Sequence, residues 1–227
     1  MVLQQRQQWA VGVALLFHVS GAIGILCTPY KNWFVQNTPV NLLLMAVLLF
    51  VTQPGHKGKM MLFAAIAFAG GMAAEITGVN TGLLFGSYHY GSVMGMQLKG
   101  VPLLIGVQWF VVVFTSAIII NRLHHWIEQQ YHKAGLMPHK TLMALSSVAD
   151  AALLATFFDY VMEPVAVKLG FWYWHGGGIP LYNYVCWFAV SALQLWILRL
   201  MPVQHNRFAV HLFIIQLLFF IVLRTAL

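Results

Sequence analysis

Seven stretches of this chain stay apolar over nearly the length a helix needs to cross a hydrocarbon core, about 20 residues for about 30 Å. They cover roughly 9–27, 35–52, 60–79, 101–121, 142–163, 181–199 and 208–225. The second is the weakest, because its clean core from Val40 to Val51 is short and Pro39 stands at its entrance, where a first-turn proline is tolerated. The first run has one arginine before it and no small-residue cleavage pattern, so it is expected to be a retained helix. Composition agrees: 60% of residues are apolar, against about 45–50% in soluble domains. The expectation is an all-α polytopic membrane protein of about seven transmembrane helices, with residues 1–227 forming a single integral membrane domain. A water-soluble enzyme, a nucleic-acid partner and a disordered tail are excluded. The net charge of +7 belongs to membrane orientation instead.

If all seven runs span, the side of the N-terminus carries Arg6, Lys57, Lys59, Arg122, Lys133, Lys140, Arg199 and Arg207, and the other side Lys31, Lys99, Lys168 and Arg224. Basic residues gather on the cytoplasmic side. The expected location is thus a bacterial or archaeal cytoplasmic membrane with the N-terminus inside. The polar stretch from Asn121 to Lys140, with His124, His125, His132 and His139, reads as a solvated loop. Cys27 and Cys186 lie in apolar surroundings and read as small buried residues, not a disulfide or a metal pair.

An internal repeat is legible. Glu75 is followed thirteen residues later by Tyr88-His89-Tyr90, then by Gly100-Val101-Pro102 and Trp109. Asp159 is followed thirteen residues later by Trp172-Tyr173-Trp174, then by Gly178-Ile179-Pro180 and Trp187. Each unit, about 60–121 and 142–199, would hold an acid-bearing helix, an aromatic and glycine-rich loop, and a following helix. One helix intervenes between the two acid-bearing helices, so both acids approach the same membrane face and the units can enclose one site. Tyrosine and tryptophan at helix ends are expected in any membrane protein, and Gly-x-Pro before a helix is ordinary punctuation.

The acids need a stronger reason. Of five carboxylates, Glu75, Asp150, Asp159 and Glu163 fall within or at the ends of apolar segments, where a charged aspartate costs about 2.5–3.5 kcal/mol at a helix centre. Glu128 lies in the polar stretch. Asp159 and Glu163 are four apart and share a helix face. Two such carboxyls in a low dielectric cannot both ionise easily, so one is expected to keep its proton, the condition for general-acid catalysis. A pairing of one carboxylate with arginine or histidine from another helix is the alternative. Asp150 ranks below the other three. Gly78, Gly82 and Gly86 would share a face with Glu75 if that helix runs on, offering either a slot or a close helix contact.

Several chemistries lack their residues. The ten histidines form neither HxxxH nor HxxHH boxes, one acidic cluster lacks the partner that diphosphate chemistry requires, and residues 208–225 hold no lysine for a retinal Schiff base. No Gly-x-Ser-x-Gly, P-loop or dinucleotide fingerprint is present. Acid chemistry or proton-coupled transport remains, with neither metal nor cofactor called for.

The segment from Glu75 to Tyr90, Gly100-Val101-Pro102 with Trp109, and Asp159-x3-Glu163-Pro164 followed by Trp172-x-Trp174, Ile179-Pro180 and Asn183-x3-Trp187 resemble the membrane-embedded carotenoid biosynthesis family. Its members include carotenoid 1,2-hydratases of the γ-carotene and bisanhydrobacterioruberin type. The resemblance covers about residues 60–200. Gly178-Ile179-Pro180 departs mildly from the first unit's Gly-Val-Pro, and the chain looks short for the family. The resemblance implies a cofactor-independent hydro-lyase that adds water across the terminal C1=C2 bond of a linear carotenoid. Glu75 or Asp159 would donate the proton, Glu163 or the remaining acid would orient water, and Tyr88, Tyr90, Trp109, Trp172, Trp174, Asn183 and Trp187 would bind the end group. Its partners would be the carotenoid, water and membrane lipid; a homo-oligomer is left open. A lycopene-type cyclase working through the same cation is the runner-up. A proton-coupled transporter or lipid-binding protein is the alternative from another class.

Overall fold

Apolar periods long enough to span a bilayer become helices because no water is present there to satisfy a free backbone. The computed structural model describes residues 2–55, 57–201 and 203–227. Among them are eight helices: α1 Val2–Cys27, α2 Lys31–Gln36, α3 Thr38–Thr52, α4 Gly58–Thr81, α5 Leu103–Lys133, α6 Lys140–Lys168, α7 Leu181–Arg199 and α8 Arg207–Ala226. The short strands are β1 Tyr88–Tyr90, β2 Gln97–Leu98, β3 Val101–Pro102 and β4 Trp172–Trp174. Six helices are long and apolar enough to cross a membrane, and the protein is an all-α polytopic membrane protein. The second run, 35–52, falls short: α3 has 15 residues, only about 22 Å of helix, and the short α2 precedes it.

Consecutive long helices alternate in direction. At one end, the side chain of Gln7 on α1 donates to Thr52 O at 3.4 Å. Asn206, the N-cap of α8, donates to Leu49 O and Thr52 Oγ1 at 3.2 Å each. At the other end, Phe219 of α8 meets His18 of α1 edge-on at 5.3 Å. Helix α5 is the central post, packed against α3, α4, α6, α7 and α8. Its apolar window is 83% buried, whereas that of α1 is 28% buried and leaves Leu15, Leu16 and Ile23 exposed to the lipid side.

A missing helix hydrogen bond in α6 and the end of α4 have clear causes. Pro164 sits inside α6 and has no N–H for the carbonyl four residues back. That carbonyl, Tyr160 O, accepts from Arg224 Nη1 at 2.7 Å, and the guanidinium lies 4.5 Å from the Tyr160 ring. Helix α4 stops at Gly82, which is left-handed at φ 69° and donates to Gly78 O at 2.8 Å, the usual glycine C-terminal cap. The helical face expected from Gly78 to Gly86 therefore does not exist: Gly82 caps the helix and Gly86, at φ 117°, lies in the following loop. A Cβ at Gly78 would press on Leu84 O and Phe85, a packing contact rather than a slot.

The polar stretch read as a loop is also mostly helix. Helix α5 continues to Lys133, and only residues 134–139 connect it to α6. Among the described residues the one ion pair is His124 Nε2 with Asp150 Oδ2 at 2.7 Å, joining α5 to α6. Both cysteines are free, Cys186 buried and Cys27 exposed, so the expectation of burial fails for Cys27.

Candidate active site

The two aromatic motifs meet. Strands β1 and β4 pair antiparallel with Tyr88 opposite Trp174, His89 opposite Tyr173 and Tyr90 opposite Trp172. Gly91 N to Phe171 O at 2.9 Å and His175 N to Ser87 O at 3.0 Å extend the pairing. Side chains alternate across a strand. Tyr88, Tyr90, Trp172 and Trp174 line the interior, and His89 and Tyr173 are exposed. The ribbon clasps the loop after α4 to the loop after α6. It roofs a cavity of about 60 Å³ between α4, α5, α6 and α7.

All of Glu75, Asp159, Glu163, Tyr88, Tyr90, Trp109, Trp172, Trp174, Asn183 and Trp187 line this cavity. Glu75, on α4, accepts from both phenols on Oε2, from Tyr88 and from Tyr90 at 2.8 Å, and from Trp109 Nε1 on Oε1 at 3.0 Å. Glu163, on α6, accepts from Trp172 Nε1 at 3.0 Å and Trp174 Nε1 at 3.1 Å, both on Oε2. Asp159 accepts only from Asn183 Nδ2, at 2.9 Å on Oδ2, while its Oδ1 is buried without a partner. Spacing aligns Glu75 with Asp159, but in hydrogen bonding the counterpart of Glu75 is Glu163. Asp159 lies one turn deeper. No lysine, arginine or histidine reaches these carboxyls among the described residues.

The roof tyrosines keep their protons. Burial first, then the neighbouring Glu75 carboxyl, push the phenols of Tyr88 and Tyr90 well above their ordinary range, so both stay as O–H. Trp109 and Trp187 stack face to face, 3.9 Å between centroids and 13° between planes. Gly71 makes room for Trp109, because a Cβ there would overlap its indole. Phe85 is fully buried against the site at φ 63°, a left-handed conformation that costs a bulky residue about 1–3 kcal/mol. Its backbone N–H donates to Cys186 Sγ at 3.3 Å.

Sequence reasoning missed Gln108, which lies in the cavity wall with its Oε1 buried and unpartnered. A glutamine inside an apolar run, next to Trp109, was the available signal. Thr38, Phe171 and Phe220 also reach the cavity from α3, the loop after α6, and α8; nothing in their local sequence marks them.

A sequence model described as carotenoid biosynthesis protein matches residues 37–227. The chain belongs to this family. Over 117 residues, half of the chain, it is 30% identical to the bisanhydrobacterioruberin hydratase of Haloarcula japonica. The chain covers 36% of that relative's length. No solved structure matches. The family match takes in every candidate residue from Glu75 to Trp187, so the carboxyl and aromatic cavity lies wholly within the part of the chain that defines this carotenoid biosynthesis protein.

Proposed function

We propose that this carotenoid biosynthesis protein is a carotenoid 1,2-hydratase, adding water to the terminal C1=C2 bond of a linear carotenoid and leaving a tertiary hydroxyl. The observation that carries the reading is three carboxyls in one buried aromatic cavity with different hydrogen-bond loads. Indole N–H groups only donate. Glu163 Oε2 faces two of them, and Glu75 faces one indole and two phenols, so both carboxyls are surrounded as acceptors. Asp159 Oδ1 faces no donor and is the oxygen free to hold a transferable hydrogen.

The reaction then balances without a cofactor. Asp159 gives its proton to C2, the C1=C2 π pair forms the new C–H bond, and C1 becomes a tertiary cation. The rings of Tyr88 and Trp174 attract that cation, and the carboxylates of Glu75 and Glu163 stabilise it. Water attacks C1, and its surplus proton returns to a carboxylate, restoring the acid. Gln108 Oε1 has the acceptor needed to hold that water. The relative named as a bisanhydrobacterioruberin hydratase supports hydration over cyclisation, in which an internal alkene would capture the same cation. The excess of basic residues at the N-terminal end of the bundle supports a cytoplasmic N-terminus, in a bacterial or archaeal cytoplasmic membrane.

The test is product analysis. Purified protein in lipid is given lycopene in H₂¹⁸O. A product heavier by one labelled water supports the proposal, an isomer of unchanged mass identifies a cyclase, and unchanged lycopene refutes both.

A further inference from the structure

A second cavity adjoins the first and has no place in the chemistry above. It has a volume of about 230 Å³ and lies between α1, α2, the start of α3, the loop after α6, and α8. Thr38, Leu42, Phe171 and Phe220 line both cavities, so the two share one wall. On its far side the second cavity is bounded by Phe17, Trp33 and Val40, which are 40%, 60% and 60% exposed on the lipid side. Phe34 and Phe219 form its aromatic sides. Glycine thins the α1 wall: a Cβ on Gly21 would come within 3.5 Å of Phe219, and the ring of Phe34 occupies the space a Cβ on Gly24 would need.

We propose that this second cavity binds the polyene body of the substrate, which enters from the bilayer between α1, α2 and α3 and passes the Leu42, Phe171 and Phe220 wall to bring its tip to the carboxyls. The inference rests on the hydratase reading for the identity of the polyene. Its own basis is size and continuity. A cavity of about 60 Å³ has room for a few waters or the end of a narrow chain, so the rest of a long linear substrate must lie elsewhere. The adjoining space is mostly apolar and aromatic and is open towards lipid, with polar groups from His18, Asn37, Asn41 and Gln216 at its edges. Gln216, 2% exposed, lines the same cavity with Nε2 unpartnered, as does Asn41 with a buried unpartnered Oδ1.

Gly21→Leu fills the cavity from α1 without touching the carboxyls. Lycopene binding to protein in lipid nanodiscs is read from the shift of the polyene absorption, and hydration of myrcene, a short terpene with the same isopropylidene end, is measured alongside. The expected result is about tenfold weaker lycopene binding, about 1.4 kcal/mol, with myrcene hydration unchanged. Lycopene binding unaffected by Gly21→Leu would overturn the proposal and leave the cavity to a lipid acyl chain. A parent protein that shifts lycopene absorption but hydrates neither compound would sink the hydratase reading alone. Should Gly21→Leu not fold, Gly21→Cys in a Cys27→Ser background is folded first and then treated with a benzyl thiosulfonate, whose benzylthio group forms a mixed disulfide with the new thiol as the sulfinate leaves. Bound lycopene should slow modification at that position about tenfold; equal rates with and without lycopene would overturn the proposal.

Discussion

Adjacent glycines on α4 should respond oppositely to one added methyl group. A Cβ at Gly71 would lie 2.7 Å from Cβ of Trp109 and overlap its indole, while a Cβ at Gly70 would meet Gln194 Nε2 at 3.5 Å, an ordinary contact. Carbon atoms rest about 3.5–4.0 Å apart, so Gly71→Ala must drive Trp109 back by about 1 Å. That stretches the 3.0 Å bond from Trp109 Nε1 to Glu75 beyond hydrogen-bonding range and shifts the ring against Trp187. The lost bond to a carboxylate costs about 1.5–3 kcal/mol. The disturbed stack costs about 0.5–1.5 kcal/mol, and residual overpacking about 1 kcal/mol or more. A loss of about 3–5 kcal/mol lowers the unfolding midpoint by roughly 6–20 °C for a chain of this size. Gly70→Ala gains helix propensity of about 1 kcal/mol and should be neutral or slightly stabilising. The assay is thermal unfolding of the two variants and the parent in one detergent, followed by tryptophan emission at a fixed scan rate. Equal midpoints for Gly71→Ala and Gly70→Ala would refute the claim that Trp109 is locked between Gly71, Glu75 and Trp187.

Asp159→Asn should reduce hydration of a carotenoid by about 10²–10⁴-fold, the range for a lost general acid, with the unfolding midpoint showing that the protein still folds; retained turnover would remove Asp159 from the donor role. Gln108→Leu should leave alkene consumption largely intact but shift the product from alcohol towards unhydrated isomer, measured by mass; unchanged product composition would show that another group holds the water. Arg224→Ala frees Tyr160 O and should destabilise by about 1 kcal/mol, and adding Pro164→Ala, which supplies the missing N–H, should recover most of that loss; additive losses in a double-mutant cycle would contradict the pairing. Tyr88 and Tyr90 are held as neutral phenols, so their contribution to stability is complete below about pH 10, the unfolded value, and is lost as pH rises from there towards their raised folded values. Tyrosinate absorbance should accordingly show these two phenols ionising only with unfolding, which Tyr88→Phe and Tyr90→Phe would identify.

Hydropathy was enough to find every long helix, because lipid admits no other way to bury a backbone, and the short Val40 to Val51 core was visible as a weakness. The convergence of Glu75 and Asp159 on one face followed from counting crossings. Other features needed geometry. The end of α5 carries charges and histidines that look like a loop, yet Arg122 to Lys133 contains no glycine or proline and half of it is strong helix formers, and His124 is tied to Asp150 on α6. Strands of three residues more than eighty residues apart give no periodic signal, so the pairing of Tyr88 with Trp174 could not be read in advance. That Glu163, and not the spacing partner Asp159, matches Glu75 in hydrogen bonding depends on where β4 lies. A shift of one helical turn is invisible to motif spacing, but it decides which carboxyl the two indoles reach.

The parallel indoles of Trp109 and Trp187 have an optical consequence. Transition dipoles this close couple, so the folded protein should carry an excitonic couplet in its aromatic circular dichroism, set by the gap between α5 and α7. That gap lies beside the carboxyls, and any occupant wedged there would alter the couplet. The protein therefore carries its own label-free gauge of what its interior holds.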